Sequence, residues 1–448
     1  MAQFFVFLVA CLLVNLALAQ RPQAALGVAG VLLLAVPSFN SAALTGIPYF
    51  KGGAVPALMP VTWFVFIMFF VQLQTSAINF SAAWRRHSTV FGLALFVVVW
   101  SFGITFTHSG AGFSQLLEVL VGPLLAGWLI LSQLDGSGVE KARKWVYWAA
   151  LIEAGIAQLE YVAGHSLLYE RQFANEGLIR FQQTHEFRSA ATLDHPLNLA
   201  LLLVVGLGCA AGITSTSRRL ACQLVMFGGL ATTGSRAGVA LGFLVLLLAQ
   251  RGLAIHTRIA IRAVIILAAG GVLFESQLGT LIAGRIANDS GSGAVRFQAL
   301  SAFKPFLHEY YFTGTGIGSS FSLSYSLTSS ANSFENPLVM YTVDIGMAVT
   351  VVFFGVLLAT AVGRAAPGLR ITALAALGMV LTYSSISTKG STTYVLFIAL
   401  FLARASADAS SKPLSPSTPV QDKTIPVGPG TRLQLNRYQP SGGQRLTV

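Results

Sequence analysis

The sequence predicts an all-α, polytopic membrane protein, and three observations support this fold class. Hydrophobic residues make up 54% of the 448 residues, whereas charged residues make up only 10%. A soluble globular domain carries about 25% charged residues. The mean hydropathy is +0.70, and long apolar stretches recur along most of the chain, close to the roughly 20 residues that span a bilayer as a helix.

The apolar stretches predict about 12 transmembrane helices, with a thirteenth candidate left open. An odd number would place the two termini on opposite sides of the membrane. Ala17-Leu18-Ala19 resembles a signal-peptidase site, but the chain start, Met1 to Gln3, has no positive charge, which favours a retained first helix. The candidate spans lie at about 3–19, 23–38, 58–79, 88–106, 113–133, 145–163, 194–213, 219–233, 236–250, 259–277, 336–358, 370–387 and 391–404.

The net charge of +12 comes largely from basic residues in short connections, at every second turn of the chain. This pattern predicts that these connections face the cytoplasm, and it argues against a nucleic-acid partner, which would need basic runs with interleaved aromatic residues. The basic connections are Arg85-Arg86, Lys141-Arg143-Lys144, Arg218-Arg219, Arg251-Arg258-Arg262 and Arg364-Arg370. The intervening connections are then external, namely 107–112, 164–193, 233–236, 278–335 and 385–390.

Two segments do not match the membrane pattern. Residues 278–335 are too polar and too rich in Gly and Ser to span, and they are long enough to form a cap over the outer surface. Residues 406–448 are rich in Pro, Ser, Thr and Gly, which predicts a disordered cytoplasmic tail after a membrane domain at 1–405. The three cysteines show no metal-binding spacing, and no metal site is expected.

The first candidate site combines Arg188 with Asp194-His195-Pro196, at the start of an apolar helix. Asp194 is expected to be an ordinary N-cap, and Pro196 an ordinary first residue of the helix. Neither role explains Arg188 and His195, which we predict to bind substrate. In an apolar chain, charges kept near the membrane are candidates for function.

The second candidate site is Thr233-Gly234-Ser235-Arg236, which joins two apolar helices with almost no loop. An arginine at that depth must reach the interface, form an ion pair or bind an anion. The Ser235 hydroxyl and the N–H groups of the next helix's first turn would add donors for an anion. The alternative is an arginine that only extends its head to the interface.

The third candidate site lies in the external segment, where Arg296 begins an amphipathic helix predicted to run from 293 to about 306. Gly314-Thr315-Gly316-Ile317-Gly318 follows, and a tight turn explains it better than a nucleotide-binding motif, because no strand precedes it. Arg285 and Lys304 in the same segment are expected to be solvated.

The fourth candidate site is Glu335-Asn336, where the external segment meets the membrane. A partly desolvated carboxylate there would serve as a general base, whereas the simpler alternative is a favourable interaction with the helix dipole. Four further acidic residues, predicted to make hydrogen bonds between helices, are Glu118, Glu153, Glu160 and Asp344.

Taken in this order, the four motifs resemble the bacterial O-antigen ligase and polymerase superfamily over roughly 180–400. The resemblance implies an inner-membrane, metal-independent and cofactor-free inverting glycosyltransferase whose site faces the periplasm. It implies that Arg188, Arg236 and Arg296 hold the pyrophosphate of an undecaprenyl-linked glycan, with His195, Ser235 and Asn336 also in the site. Arginine suits this role because its planar fork binds phosphate oxygens in pairs. The acceptor would be a lipid-linked repeat unit or lipid A-core.

One position distinguishes the activities within this superfamily. The ligases that load glycan onto lipid A-core typically carry His where this chain has Glu335. Glu-Asn at that position resembles the polymerases of O-antigen or exopolysaccharide repeat units, so we expect a polymerase, with a ligase as the alternative. A lipid-linked-glycan flippase is the alternative of another class. It should line both halves of the membrane with charge, whereas these candidates are all external.

Overall fold

The structure, a computed structural model, describes residues 2–46, 58–108, 112–171, 187–248, 292–328, 334–363, 365–383 and 390–411, with 292–296 described by their backbone alone. Every regular element in these ranges is a helix, and no strand occurs among them. The predicted all-α class is therefore confirmed for this part of the chain. The candidate span at 259–277, the loop residues Arg251, Arg258, Arg262 and Arg285, and residues 412–448 of the predicted tail lie outside it.

The first half of the chain contains two sharply bent helix pairs followed by longer helices. The chain bends by 94° between Pro22–Ala35 and Ser38–Thr45, and by 101° between Pro60–Thr75 and Ala77–Arg86. The helices are α1 (Ala2–Ala17), α2 (Pro22–Ala35), α3 (Ser41–Thr45), α4 (Pro60–Thr75), α5 (Ala77–Arg86), α6 (Ser88–His108), α7 (Phe113–Gln133, with a π-helical turn at Leu117–Val121) and α8 (Gly136–Ala163).

The second half begins with three apolar helices, continues through the two helices of residues 292–328, and ends with four further helices. Several of these helices start with proline, which fits the first turn because its missing N–H would have no helical partner there. They are α9 (Pro196–Cys209), α10 (Thr216–Thr232), α11 (Arg236–Leu248), α12 (Ser292–Phe303), α13 (Ser319–Thr328), α14 (Pro337–Ile345), α15 (Met347–Val362), α16 (Pro367–Val380) and α17 (Gly390–Ser411).

Three of the described helices, α6, α7 and α17, are long and apolar enough to cross a membrane, and the number rises to five if each bent pair is one span. The protein therefore has the character of a membrane protein. The larger number of about 12 spans stays a prediction. Many of the remaining apolar helices are shorter than the roughly 20 residues that a bilayer needs, for example the 13 residues of α11.

α8 begins at Gly136 rather than at 145, so the predicted connection Lys141-Arg143-Lys144 lies within this helix. Two other predicted boundaries were also wrong. The span predicted at 336–358 is two helices, because Gly346 adopts φ +92° between α14 and α15. A side chain at Gly346 would also meet the backbone oxygen of Phe312 at 2.6 Å. At the other boundary, α17 continues to Ser411, into the segment predicted as tail.

Contacts along α17 define two ends of the helical bundle. At its start, the Ser391 hydroxyl donates to Asp194, whereas near its finish Asp408 lies 2.8 Å from Nε2 of His87. α9 begins beside Asp194, and α10 finishes where the Thr232 carbonyl accepts from Ser189 N–H. We call the end around residues 187–195 and 233–236 the loop end.

The opposite end, around His87 and Asp408, carries predicted cytoplasmic connections and is called the basic end. Arg86 forms an ion pair with Asp408 there at 3.4 Å, and a side chain at Gly212 would touch the guanidinium of Arg143. Arg218 and Arg219 begin α10 at this end, since α10 finishes at the loop end. The basic connections and the candidate site at 233–236 therefore lie at opposite ends of the bundle.

Residues 292–343 contain a hydrophobic cluster that is separate from the large core of the bundle. Phe303 of α12 packs against Phe334 with ring centroids 5.4 Å apart and ring planes tilted by 59°. Met340 and Val343 of α14 belong to the same cluster. The described part of the predicted cap is therefore packed helices rather than a plain loop.

Candidate functional site

The loop that carries Arg188 is attached to α8 by two buried carboxylates. Glu160 accepts hydrogen bonds from the backbone N–H groups of Ala190 and Ala191, at 3.2 and 2.9 Å. One helical turn before Glu160 on α8, the Ala157 carbonyl accepts from the Ser189 hydroxyl at 2.7 Å. The loop therefore follows the end of α8, with its backbone donors satisfied by that helix.

Glu153 extends this attachment two turns along α8. Its carboxylate accepts from both the backbone N–H and the hydroxyl of Thr192. Glu160 also accepts from Ser166 and from the Leu167 N–H, so it joins two chain segments. The prediction that these two acids bond helix to helix was wrong, because they bind loop backbone instead.

Arg188 lies directly against the second candidate motif. Its Nε donates to the Thr233 carbonyl at 2.8 Å, and a side chain at Gly234 would come within 3.3 Å of the same nitrogen. Gly234 has φ +61°, a conformation that favours glycine. The structure therefore brings Arg188 together with the turn that precedes Arg236, two segments separated by α9 and α10 in sequence.

The turn before Arg236 is stabilised by its own hydroxyl groups. Ser235 N–H donates to the Thr233 hydroxyl at 3.2 Å, and the Ser235 hydroxyl accepts from Gly238 N–H at 3.1 Å. Ser235 is buried, and Arg236 is half-buried as the first residue of α11. This arrangement fixes the backbone from which the Arg236 side chain starts.

His195, rather than Asp194, caps α9. Its Nδ1 accepts from Leu197 N–H at 3.1 Å, so this nitrogen carries no proton. The expectation that Asp194 is the N-cap was wrong. The predicted substrate-binding role of His195 stays a prediction, and the imidazole has the structural role that the sequence assigned to its neighbour.

Asp194 instead forms a buried polar cluster that joins three distant segments. Its carboxylate accepts from Ser38 at 2.6 Å, from Asn198 at 2.6 Å and from Ser391 at 3.3 Å. Asn198 is further bound by the Thr392 hydroxyl. The cluster holds the start of α17 and the segment between α2 and α3 against the loop that bears Arg188.

A second buried acid, Glu118, reinforces the same region. Its Oε2 accepts from Met59 N–H at 3.0 Å, at the start of α4. A side chain on Gly390 would clash with its Oε1, so glycine is required where α17 begins. Glu118 was predicted to bond helix to helix, and the structure shows it holding the backbone where α4 begins.

Glu335 has a strained backbone in the fourth motif. Its φ of +47° lies in the left-handed region, which costs a non-glycine residue of order 1–3 kcal/mol. Asn336, not Glu335, caps α14, because its side-chain oxygen accepts from Leu338 N–H at 3.0 Å. Among the described residues, the other non-glycine residue with positive φ is Ala191, in the Arg188 loop. Strain of this kind clusters at functional sites.

The predicted tight turn at Gly314–Gly318 is confirmed, and it packs on Asp344. Gly316 and Gly318 have φ of +98° and +90°, and Gly316 N–H donates to the Asp344 carbonyl. The Asp344 carboxylate accepts from Ser320 N–H at 2.8 Å. Asp344 therefore anchors the cap to α14, which again differs from the predicted bond between helices.

Arg296 belongs to α12, whose backbone is described, whereas its side chain lies outside the described part. α12 is joined to the loop of Glu335 through the contact of Phe303 with Phe334. Lys304 is exposed, as expected. The candidate residues therefore form two groups in the structure. One is Arg188 with the turn before Arg236, and the other is α12, which carries Arg296, with the loop of Glu335.

The described residues include no group of three or more His, Cys, Asp or Glu side chains that could hold a metal ion. The donors at the loop end are guanidinium, hydroxyl and backbone N–H groups, which bind anions. Arg188 and Arg236 are thus the cationic donors that the described residues place at the loop end.

Comparisons with known proteins add no relative. No model of a known protein family matches the chain, and a search of curated proteins gave no significant match. The resemblance described above therefore depends on the motif residues and on their arrangement.

Proposed function

We propose that this protein is an integral-membrane glycosyltransferase that moves a glycan from undecaprenyl pyrophosphate to an acceptor sugar hydroxyl. The observation that carries the proposal is the contact of Arg188 with the turn that begins at Thr233 and ends at Arg236. Two arginines predicted from separate motifs start from one rigid backbone arrangement at the loop end. A pyrophosphate is a ligand that two adjacent guanidinium groups bind well.

The orientation follows from charge. Short connections rich in Lys and Arg face the cytoplasm, and those described here lie at the basic end, as Arg86 and Arg143 do. The loop end would then face the periplasm of a bacterial inner membrane. Lipid-linked glycans presented on that side would meet the arginines without crossing the bilayer.

The proposed reaction is a single displacement at the anomeric carbon. The oxygen of the acceptor hydroxyl attacks this carbon, and the bond from the carbon to the pyrophosphate oxygen breaks with inversion. Undecaprenyl pyrophosphate leaves with the bonding electron pair, and the arginines stabilise its charge. The proton of the hydroxyl passes to the carboxylate of Glu335 as general base.

Two observations favour this reaction over transport. The candidate arginines lie at one end of the bundle, whereas a flippase needs polar groups through both halves of the membrane. The buried acids Glu160 and Asp194 accept hydrogen bonds from fixed loops and helix ends, so they support a rigid site rather than a moving pathway.

Polymerisation of O-antigen or exopolysaccharide repeat units is the preferred form of the activity. Glu335 is kept in a strained conformation at the edge of the cap, where an acceptor glycan would approach. A carboxylate held there suits proton removal from a hydroxyl, and the polymerases carry Glu-Asn at this position. Ligation to lipid A-core stays the alternative.

The product of the purified protein tests the proposal. The protein is incubated with undecaprenyl-pyrophosphate-linked repeat units, alone or with lipid A-core, and the products are separated by size. We expect a ladder of longer lipid-linked glycans. Transfer to lipid A-core without a ladder would establish the ligase, and intact donor in both reactions would contradict a glycosyltransferase.

A further inference from the structure

A large apolar groove lies among α2, α7, α8, α9 and α17. Its volume is about 810 Å³, near the upper end of the range for small-molecule sites. Protein interiors contain few voids larger than a water molecule. A groove of this size is therefore not a packing defect, and it needs an occupant when the protein is in a membrane.

The walls of the groove are almost entirely hydrocarbon. Gly27 of α2 faces Trp145 of α8, and a side chain at Gly30 would meet nothing within 4 Å. Val31 and Ile152 line the groove although they are 64% and 60% exposed. The groove thus opens sideways between α2 and α8, in the direction from which a lipid would enter.

The groove runs along α8 toward the candidate site. Its lining on this helix extends from Gly138 to Ile156, about 27 Å at the helical rise, or about nine tenths of a hydrocarbon core. One residue beyond Ile156, the Ala157 carbonyl accepts from Ser189, the neighbour of Arg188. The groove therefore ends beside the arginine loop.

Polar groups occur in the lining chiefly at the two ends of the groove. Glu153 and Thr192 lie at the loop end, where they hydrogen bond to each other. Gln23 lies at the basic end. An occupant consequently needs no hydrogen-bonding group along the groove, and needs its polar group where the groove meets the loop.

We infer that this groove holds the isoprenoid chain of the polyprenyl pyrophosphate donor, with the pyrophosphate at Arg188 and the Arg236 turn. The inference rests on the proposed function and locates its lipid. One groove accommodates one chain, which fits a polyprenyl lipid better than a phospholipid with two. The half of the chain nearest the pyrophosphate would fill the groove as far as the part lined by Gln23 and Gly138, and the rest would extend into the bilayer.

Photolabelling of the full-length protein in nanodiscs tests this inference without any glycan transfer. The probe is a polyprenyl pyrophosphate shortened to the length of the groove, with a diazirine at the far end of its chain, and labelled peptides are identified by mass spectrometry. We expect labels on the first turns of α2 and on α8 around Ala142. We expect Gly30→Phe, which fills the groove, to reduce this labelling roughly tenfold, about 1.4 kcal/mol.

Gly355→Phe is the matched control, because a side chain at Gly355 also meets nothing within 4 Å and this residue does not line the groove. It should label like the unsubstituted protein. Ala149→Phe narrows the groove from the α8 wall, and it replaces Gly30→Phe if the latter fails to fold. Thermal unfolding of the variant in the same nanodiscs identifies such a failure.

Three outcomes would overturn the inference. Labels could lie outside α2 and α8, labelling could persist in both groove variants, or a phosphatidylglycerol probe could label the groove without displacement by polyprenyl pyrophosphate. A failed proposed function looks different, because the groove is then labelled but no glycan is transferred. Transfer that persists in the groove variants would contradict the inference and leave the function intact.

Discussion

The acidic residues at the two ends of the bundle have different partners. At the basic end Asp408 pairs with Arg86 and Glu140 with Arg143, whereas Asp135 caps α8. At the loop end, Glu160 and Glu153 accept from backbone N–H groups and hydroxyls. Exposed ion pairs contribute little, whereas a buried carboxylate that satisfies several donors determines a loop conformation. The loop end is therefore built to hold the arginines in place.

The largest expected effect comes from the arginine that begins α11. Arg236→Ala should lower glycan transfer roughly 10³-fold, because it removes a charge that stabilises the departing pyrophosphate. Glycan transfer by Arg236→Lys should lie between that of Arg236→Ala and that of the unsubstituted protein, since lysine keeps the charge and loses the planar fork. Product formation by equal amounts of purified variants measures this.

Arg370→Ala is the control at the basic end, where Arg370 is exposed in the first turn of α16. It should transfer glycan normally. Equal losses in Arg236→Ala and Arg370→Ala would show that the two ends do not differ, and normal transfer by Arg236→Ala would remove it from the site.

The second effect concerns the general base. Glu335→Gln should lower turnover roughly 10²-fold and leave donor affinity almost unchanged, because the amide keeps the shape but accepts no proton at neutral pH. Steady-state kinetics with varied donor concentration separates the two quantities. Unchanged turnover would leave Glu335 with a structural role only.

The third effect tests the positioning role of the loop-end acids. Glu160→Gln places an amide NH₂ where the carboxylate accepted from Ala190, Ala191, Ser166 and Leu167, which should cost about 1–3 kcal/mol. Binding of polyprenyl pyrophosphate should weaken with it, because the Arg188 loop loses its attachment. Thermal unfolding and donor binding are measured on the same sample.

Glu140→Gln is the matched change at the basic end. Glu140 is about half exposed in its ion pair with Arg143, so the loss should be at most about 1 kcal/mol. A cost as large as that of Glu160→Gln would remove the distinction between the two ends.

The fourth effect concerns Asp344, whose carboxylate accepts from Ser320 N–H at 2.8 Å. Asp344→Asn should loosen the attachment of residues 314–320 to α14, because an amide has one acceptor oxygen where the carboxylate has two. Limited proteolysis of the purified variant measures this, and unchanged protection of residues 311–328 would contradict it.

Asp135 should give a dependence on pH at the basic end. The hydrogen bond from Gly138 N–H holds the pKa of Asp135 below its usual value. Its stabilisation of the folded chain is present at neutral pH and is lost as pH falls through that lowered pKa. Asp135→Asn should abolish this loss, as measured by unfolding across the acidic range, and an unchanged dependence on pH would contradict the assignment.

The smallest effect concerns backbone strain. Ala191→Gly and Glu335→Gly should each stabilise the protein by about 1 kcal/mol, because glycine adopts positive φ without strain. Only Glu335→Gly should also lose turnover. Thermal unfolding and activity of the two variants measure this, and a loss of stability in Ala191→Gly would show that its backbone is not strained.

The sequence predicted helices wherever an apolar stretch ended in a turn or a charged connection. α6 and α7 lie almost where expected, and so does the turn at Gly314–Gly318. The bends between α2 and α3 and between α4 and α5 were missed, because hydropathy reports the apolar length of a segment but not its direction. The break at Gly346 was missed for the same reason.

The candidate site was predictable in its basic residues and not in its acidic ones. Arginines near membrane surfaces are conspicuous in an apolar chain, and Arg188 does meet the Arg236 turn. The partners of Glu160 and Asp194 are backbone groups and hydroxyls from distant segments, and these have no sequence signal. A lone carboxylate in an apolar helix, followed by a polar loop, is the only indication they leave.

We propose that the loop end transfers a glycan from a lipid pyrophosphate. One reaction of the purified protein with undecaprenyl-pyrophosphate-linked repeat units tests this, if released lipid pyrophosphate and the new glycosidic bond are measured together. We expect one released undecaprenyl pyrophosphate for each new bond, inverted configuration at the anomeric carbon, and roughly 10³-fold less of both products with Arg236→Ala. Retained configuration, or equal products with Arg236→Ala, would contradict the proposal.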